Sequence, residues 1–218
     1  MLARLLIYPL CLLVGALLAV VAGVLHPDLA GDGAAQLTTI AQCAGWRAIH
    51  WTFLFGFPLA LTGLVGLARA HAGNPGESAV RAGLIVGTFA YGAWTVTVAF
   101  MGSAGSSLAH SFTVAEAGMT ATRAVFLFDM IHPFALATQR VAGFALGLST
   151  CLFGWGVSEG KVLPRWLGTT GLAAGAVAMA LAVAFPETTK ADQAAFVLPV
   201  LWQVVTAIDM LRAVVRRG

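Results

Sequence analysis

Charge is what this chain has least of. Only 10% of its 218 residues are Asp, Glu, Lys or Arg, against 59% that are hydrophobic. A soluble domain carries roughly 25% charged residues, so this sequence cannot cover a water-facing surface with polar groups. Mean hydropathy is +0.88. This is the composition of an integral membrane protein. The length fits one transmembrane domain over residues 1–218, with no separate soluble domain.

Other absences narrow the function. The three cysteines form no CxxC, so neither a thiolate zinc site nor a redox dithiol is suggested. Cys11 and Cys151 fall inside apolar runs, where a thiol behaves as a small hydrophobe. HExxH does not occur, and Ser149 and Thr150 have no histidine near them in depth. An intramembrane hydrolase is therefore disfavoured. The net charge of +3 comes without a basic stripe interleaved with aromatics, so nucleic acid is not an expected partner. The middle of the membrane holds almost no ionisable group, where a proton-coupled transporter or a channel should have one. Gln203 and Thr206 are the main polar groups there, and both can hydrogen-bond between helices. Nothing in the sequence identifies a catalytic group, so whether the chain is an enzyme stays open.

What is present is a series of apolar runs of about 20 residues, each long enough to cross a bilayer. They lie at 5–25, 49–68, 82–101, 138–157, 167–185 and 194–211. The first follows Arg4 and could pass for a signal peptide. It is long enough to span and ends without an A-x-A-like cleavage site, so it reads as a span. Pro, Gly and charged residues punctuate the breaks. The connection 102–137 opens with the flexible composition GSAGSS and continues with TRAVFLFDMIH. That segment is expected to form a short helix lying at the interface, ended by Pro133. The predicted fold is thus all-α: a polytopic six-helix transmembrane bundle with an outer-face interfacial helix between spans 3 and 4.

Orientation follows from Lys and Arg. With the N-terminus inside, eight basic residues (Arg4, Arg69, Arg81, Lys161, Arg165, Arg212, Arg216 and Arg217) face inward. Four (Arg47, Arg123, Arg140 and Lys190) face outward. The bias puts both termini in the cytoplasm and the chain in the cell (inner) membrane. Among the acidic residues, Glu187 and Asp192 fall outside with Asp28, Asp32, Glu116 and Asp129. Gly143 with Gly147, and Gly171 with Gly175, form GxxxG pairs that let helix backbones approach closely. Trp46, Trp51 and Trp166 sit where an aromatic belt is expected.

Depth organises the remaining polar residues. His26 stands 21 residues above Leu5, roughly 32 Å; His50 stands 19 above Arg69, roughly 28 Å; Arg140 stands 17 above Val157, roughly 26 Å. These groups share one level near the outer interface. In a continuous helix His132 would stand about 12 Å above Arg140, although Pro133 disfavours the helical conformation at His132. Arg47 and His50 share a helix face, as do Asp129 and His132, whose carboxylate could orient the imidazole.

Two functional expectations follow. In the first, the chain is a small bacterial-type redox component. His26 and His50 would ligate a b-type haem, with Arg47, Arg123 and Arg140 on its propionates. Alternatively His26, His50, His110 and His132, with Asp129 or Glu116, would hold a Zn or Cu ion. In the second, the chain is a non-catalytic accessory subunit of a larger membrane complex. Its Gly/Ala helix faces would then pack against other subunits or a second copy, within the lipid bilayer.

Overall fold

A computed structural model describes residues 2–114, 119–186 and 190–216. Glu116, Glu187 and Arg217 lie outside the described residues, as do the side chains of Arg4, Lys190 and Asp192.

The apolar runs become helices: α1 Leu2–Leu25, α3 Trp46–Ala70, α4 Glu77–Phe100, α6 Met119–Glu159, α7 Arg165–Ala184 and α8 Lys190–Val215. A short α2, Gly33–Gln42, follows α1. Its start is fixed by Asp32, whose carboxylate accepts from the Ala35 amide at 2.9 Å, a cap worth about 1 kcal/mol. Six helices are long and apolar enough to cross a membrane.

These six form a closed ring. Each packs on two neighbours in the order α1, α3, α4, α6, α7, α8 and back to α1, and α6 also touches α8 across the ring. Small residues make the close approaches. A methyl at Gly15 would strike the Gly56 carbonyl at 2.6 Å, and one at Gly147 the Gly175 carbonyl at 2.9 Å. Gly171 lies against the Trp202 indole. Gly143 is different, since a methyl there would make only ordinary contact with Ala182 at 3.8 Å. At the end of the ring where α3 gives way to α4, Gly76 precedes α4 with φ 84° and sits against Gly156. Only glycine fits both the left-handed backbone and the backbone contact.

Two helices outgrow a bilayer. The α6 helix has 41 residues, roughly 61 Å, against a hydrocarbon core of about 30 Å. The α4 helix continues through a π-helical turn, Met101–Gly105, into α5, Ser106–Val114. The small residues that read as a flexible link are therefore helical. They bring α4 close to α3: a methyl at Gly102 would meet His50 Cβ at 2.8 Å. The extra lengths of α5 and α6 join α2 in a cap with its own core, built on Leu37, Ile40, Trp46, Met101, Ala109, Ala124 and Phe128.

The expected break at Pro133 does not occur. Residues 119–137 run straight into the fourth span as one helix. An interior proline costs about 3 kcal/mol. Burying Phe128 alone returns about 1.5–3 kcal/mol, and Ala124 and Ala135 are buried with it. Thr97 of α4 also donates to the Ala135 carbonyl at 3.0 Å, two residues past the proline.

Candidate functional site

Where the ring meets the cap there is a cavity of about 450 Å³, within the range of small-molecule pockets. Every helix of the ring except α7 contributes to its wall. The wall is apolar over most of its extent, with Phe53, Trp94, Phe196 and Val200 among the lining residues. The aromatic rings touch one another: Phe53 meets Phe196 at 6.0 Å between centroids, and Trp94 meets Phe196 at 4.9 Å. Into this surface come three imidazoles: His26 from the turn after α1, His50 from the start of α3, and His132 from α6.

Each imidazole is placed by its own local structure. Pro27 stops α1 from continuing and leaves His26 at the rim of the ring. His50 is only 3% exposed. Its Nδ1 donates to the Trp46 carbonyl one turn earlier, at 2.8 Å. A carbonyl can only accept, so in the neutral ring the proton is on Nδ1 and Nε2 carries the lone pair. His132 is buried and stacks on Phe128, with centroids 4.5 Å apart and planes at 27°. His26 and His50 are in edge contact, 5.2 Å between centroids at 61°. Burial lowers the pKa of His26 below the ordinary imidazole value, against a smaller opposing effect of the Pro27 backbone and the Asp28 carboxylate. At neutral pH its ring is therefore uncharged and can accept a hydrogen bond or bind a metal ion.

Trp46 departs from its expected role. It is 2% exposed, whereas Trp51 and Trp166 are 49% and 52% exposed as a belt requires. Its indole N–H donates to the Met101 carbonyl at 2.8 Å. Its ring packs on His50 at 4.4 Å and on His26 at 4.9 Å. Trp46 therefore positions two of the three imidazoles.

The other expected site residues are elsewhere. Arg47 is exposed and does not line the cavity. Arg140 donates to the Phe185 carbonyl, just past the end of α7, at 3.2 Å. Arg123 and His110 are exposed on α6 and α5. Asp129 does not hydrogen-bond His132. Its carboxylate lies against Gly33, the first residue of α2, where the helix dipole favours a negative charge. Among the described residues, no three of His, Cys, Asp and Glu stand close enough to hold a metal ion. Nor does the edge contact of His26 with His50 leave a gap for a macrocycle between them.

Sequence reasoning missed several wall residues. Asp28 and Gln193 both line the cavity, and Gln193 donates to the Asp28 carboxylate at 3.0 Å, joining the end of α1 to α8. Gln139 and Trp94 line it too, and among the described residues the Trp94 indole N–H has no hydrogen-bond partner. A polar or amphipathic group inside or at the end of an apolar run was the available signal. Deeper in the ring, the Tyr91 hydroxyl donates to Gln203 Oε1 at 2.7 Å, tying α4 to α8. Thr206 instead bonds its own helix, at the Trp202 carbonyl. Comparison with protein families, with curated proteins and with solved structures finds no match for this chain.

Proposed function

We propose that this multi-pass membrane protein works through the histidine-lined cavity, as a ligand-binding redox component of the cell (inner) membrane. One observation carries the reading. Three imidazoles from separate stretches of the chain converge on one apolar cavity near the end of the spans. Burying them there is costly unless something uses them, and such a pocket with a few convergent polar groups is the usual form of a binding site. The basic-residue bias supports an outer position for the cavity, with both termini cytoplasmic and the cap above the outer leaflet.

The ligand is an organic molecule or a metal ion. A Zn or Cu ion would use His50 Nε2, with His26 and His132 turning toward it, because no ready-made set of three donors exists among the described residues. A haem between His26 and His50 would have to force apart rings now in contact, and Arg47 and Arg140 do not line the cavity where its propionates would lie. An organic ligand needs neither change and is the form we favour. Purified protein should be examined for metal, for a visible spectrum and for extractable organic molecules, beside His50→Leu and His132→Leu. A bound species lost from both variants supports the reading. A folded protein whose bound species is indifferent to both substitutions overturns it.

A second reading, the accessory subunit, is favoured by one surface. Phe126, Met130, Ile131 and Phe134 are all exposed on the outer stretch of α6, beyond the roughly 20 residues that a span needs. An apolar stripe at that height suits a partner subunit or the interfacial lipid. Recovery of larger partners after gentle solubilisation, lost on Phe126→Ser with Met130→Ser, tests it.

A further inference from the structure

The walls of the cavity differ in one respect that bears on access. Most lining residues are buried or half-buried. The exposed ones are Gly23, Val24, Asp28, Gln193 and Val197, and all of them belong to α1, the turn after it, or α8. The opening is therefore between α1 and α8. The Gln193–Asp28 hydrogen bond closes this gap at the top. Below it the rim is apolar, with Gly23 and Val24 on one side and Val197 on the other. A methyl at Gly23 would meet nothing within 4 Å, so the rim is open at that point.

Depth decides what the opening faces. Gly23 stands 17 residues above Leu6, roughly 26 Å, and Val197 stands 15 above Arg212, roughly 22 Å. Both heights lie inside a hydrocarbon core of about 30 Å. These heights put the apolar part of the opening, below the Gln193–Asp28 bond, at the level of the lipid.

The chemistry of the interior adds a second constraint. The Nδ1 proton of His50 is already given to the Trp46 carbonyl. What remains to a ligand is Nε2, an acceptor. At Nε2 a hydroxyl on the ligand would find its complement, whereas a carbonyl oxygen would have to turn instead to a donor such as the Trp94 indole N–H. The cluster of Phe53, Trp94 and Phe196 offers aromatic faces and edges to the rest of the molecule.

Resting on the cavity reading above, we infer that the site takes a lipid-soluble phenol, hydroquinones included, which enters sideways from the outer leaflet between α1 and α8 and donates its hydroxyl to His50 Nε2. No electron transfer is needed for this binding; the hydroxyl proton stays shared between oxygen and nitrogen.

The test uses the full chain in nanodiscs and fluorine NMR of a trifluoromethyl-tagged decylhydroquinone. The hydroquinone should bind about tenfold more tightly than its oxidised quinone, the difference one hydrogen bond to a buried imidazole makes. His50→Leu should erase that preference. Gly23→Leu combined with Val197→Phe should slow exchange of the probe by about tenfold or more. A water-soluble hydroquinone sulfonate should not compete. Equal or tighter binding of the quinone overturns the hydroxyl assignment, and unchanged exchange in the rim variant, or full competition by the sulfonate, overturns the lateral route. If neither quinone form binds but zinc or haem does so in a His50-dependent way, the ligand class falls and the cavity reading stands. If no binding depends on His50, both fall.

Discussion

The two ends of α3 carry the same local arrangement with opposite consequences. At the cap end His50 Nδ1 donates to the Trp46 carbonyl at 2.8 Å; at the opposite end His71 Nδ1 donates to the Leu67 carbonyl at 2.9 Å. Both rings are buried. His50 borders a cavity, whereas His71 Nε2 is sealed against Gly160 with no partner. A buried imidazole is therefore no mark of a site by itself. What differs is the packing around it. The half of the ring away from the cap is closed by glycines set against backbone and side chains, such as Gly63 on Leu12 and Gly66 on Tyr8. The half beneath the cap holds the cavity.

Added volume should separate the two halves most strongly. Gly63→Leu places a side chain where even a methyl would meet the Leu12 backbone. Overpacking costs about 1–3 kcal/mol where side chains can yield, and here the obstacle is main chain, so a loss of at least about 3 kcal/mol is expected. Gly23→Leu at the cavity rim should leave stability within about 0.5 kcal/mol. Thermal unfolding in detergent compares them. If both are tolerated alike, the half away from the cap is not the tightly packed one.

Next in size is the hydrogen bond beneath the cavity. Tyr91→Phe removes the donor to Gln203 and leaves a buried amide oxygen unsatisfied. That costs about 1–3 kcal/mol in a soluble core, but membrane cycles average about 0.6 kcal/mol, so about 1 kcal/mol is expected. Tyr91→Phe combined with Gln203→Leu should recover most of it. A double variant no better than the single one would show that the pair contributes packing and not hydrogen bonding.

The same contrast explains which features were legible in the sequence. Six spans were, because twenty apolar residues in a row have few alternatives. The shared depth of His26 and His50 was also legible, because α1 and α3 are regular from end to end and a rise per residue suffices. The continuity of α6 was not. Pro133 is a sound local stop signal, and it is overridden by contacts of Phe128 and Ala135 with α2, α4 and α5 that no local pattern contains. The role of Trp46 failed for a related reason. A tryptophan at a span boundary looks the same whether it faces lipid or a cap, and the cap is a tertiary object. Asp129 was matched with His132 by spacing, yet the start of α2, far away in sequence, attracts its carboxylate.

Exchanging each histidine for leucine sets the two ends of α3 against each other directly. His71→Leu loses the bond to Leu67 but also removes the orphaned Nε2. The two roughly cancel, and a change within about 1 kcal/mol is expected. His50→Leu should change stability by a similar amount, yet abolish binding of the cavity ligand. Melting with and without ligand distinguishes the outcomes. In the wild type, saturation at a hundredfold excess over Kd adds about 2.7 kcal/mol, and in His50→Leu this increment should vanish while His71→Leu keeps it.

The smallest effect is expected from acid, and its sign is fixed. Burial lowers the pKa of both His26 and His71 below the ordinary value of 6.5, the value each regains when the chain unfolds. Between the lowered folded value and 6.5 the unfolded state binds more protons. The contribution of each neutral ring is therefore fully present above 6.5 and is lost as pH falls from there through the folded pKa. For His26 the Asp28 carboxylate offsets some of the shift, whereas no charged group opposes burial at His71. His71→Gln and His26→Gln should each flatten the acid limb of the stability profile. The ligand separates them: a proton on His26 puts a charge at the mouth of the cavity, so binding should weaken on acidification in the wild type and in His71→Gln, and less in His26→Gln. A binding profile that followed His71 instead would place the working imidazole at the wrong end of α3.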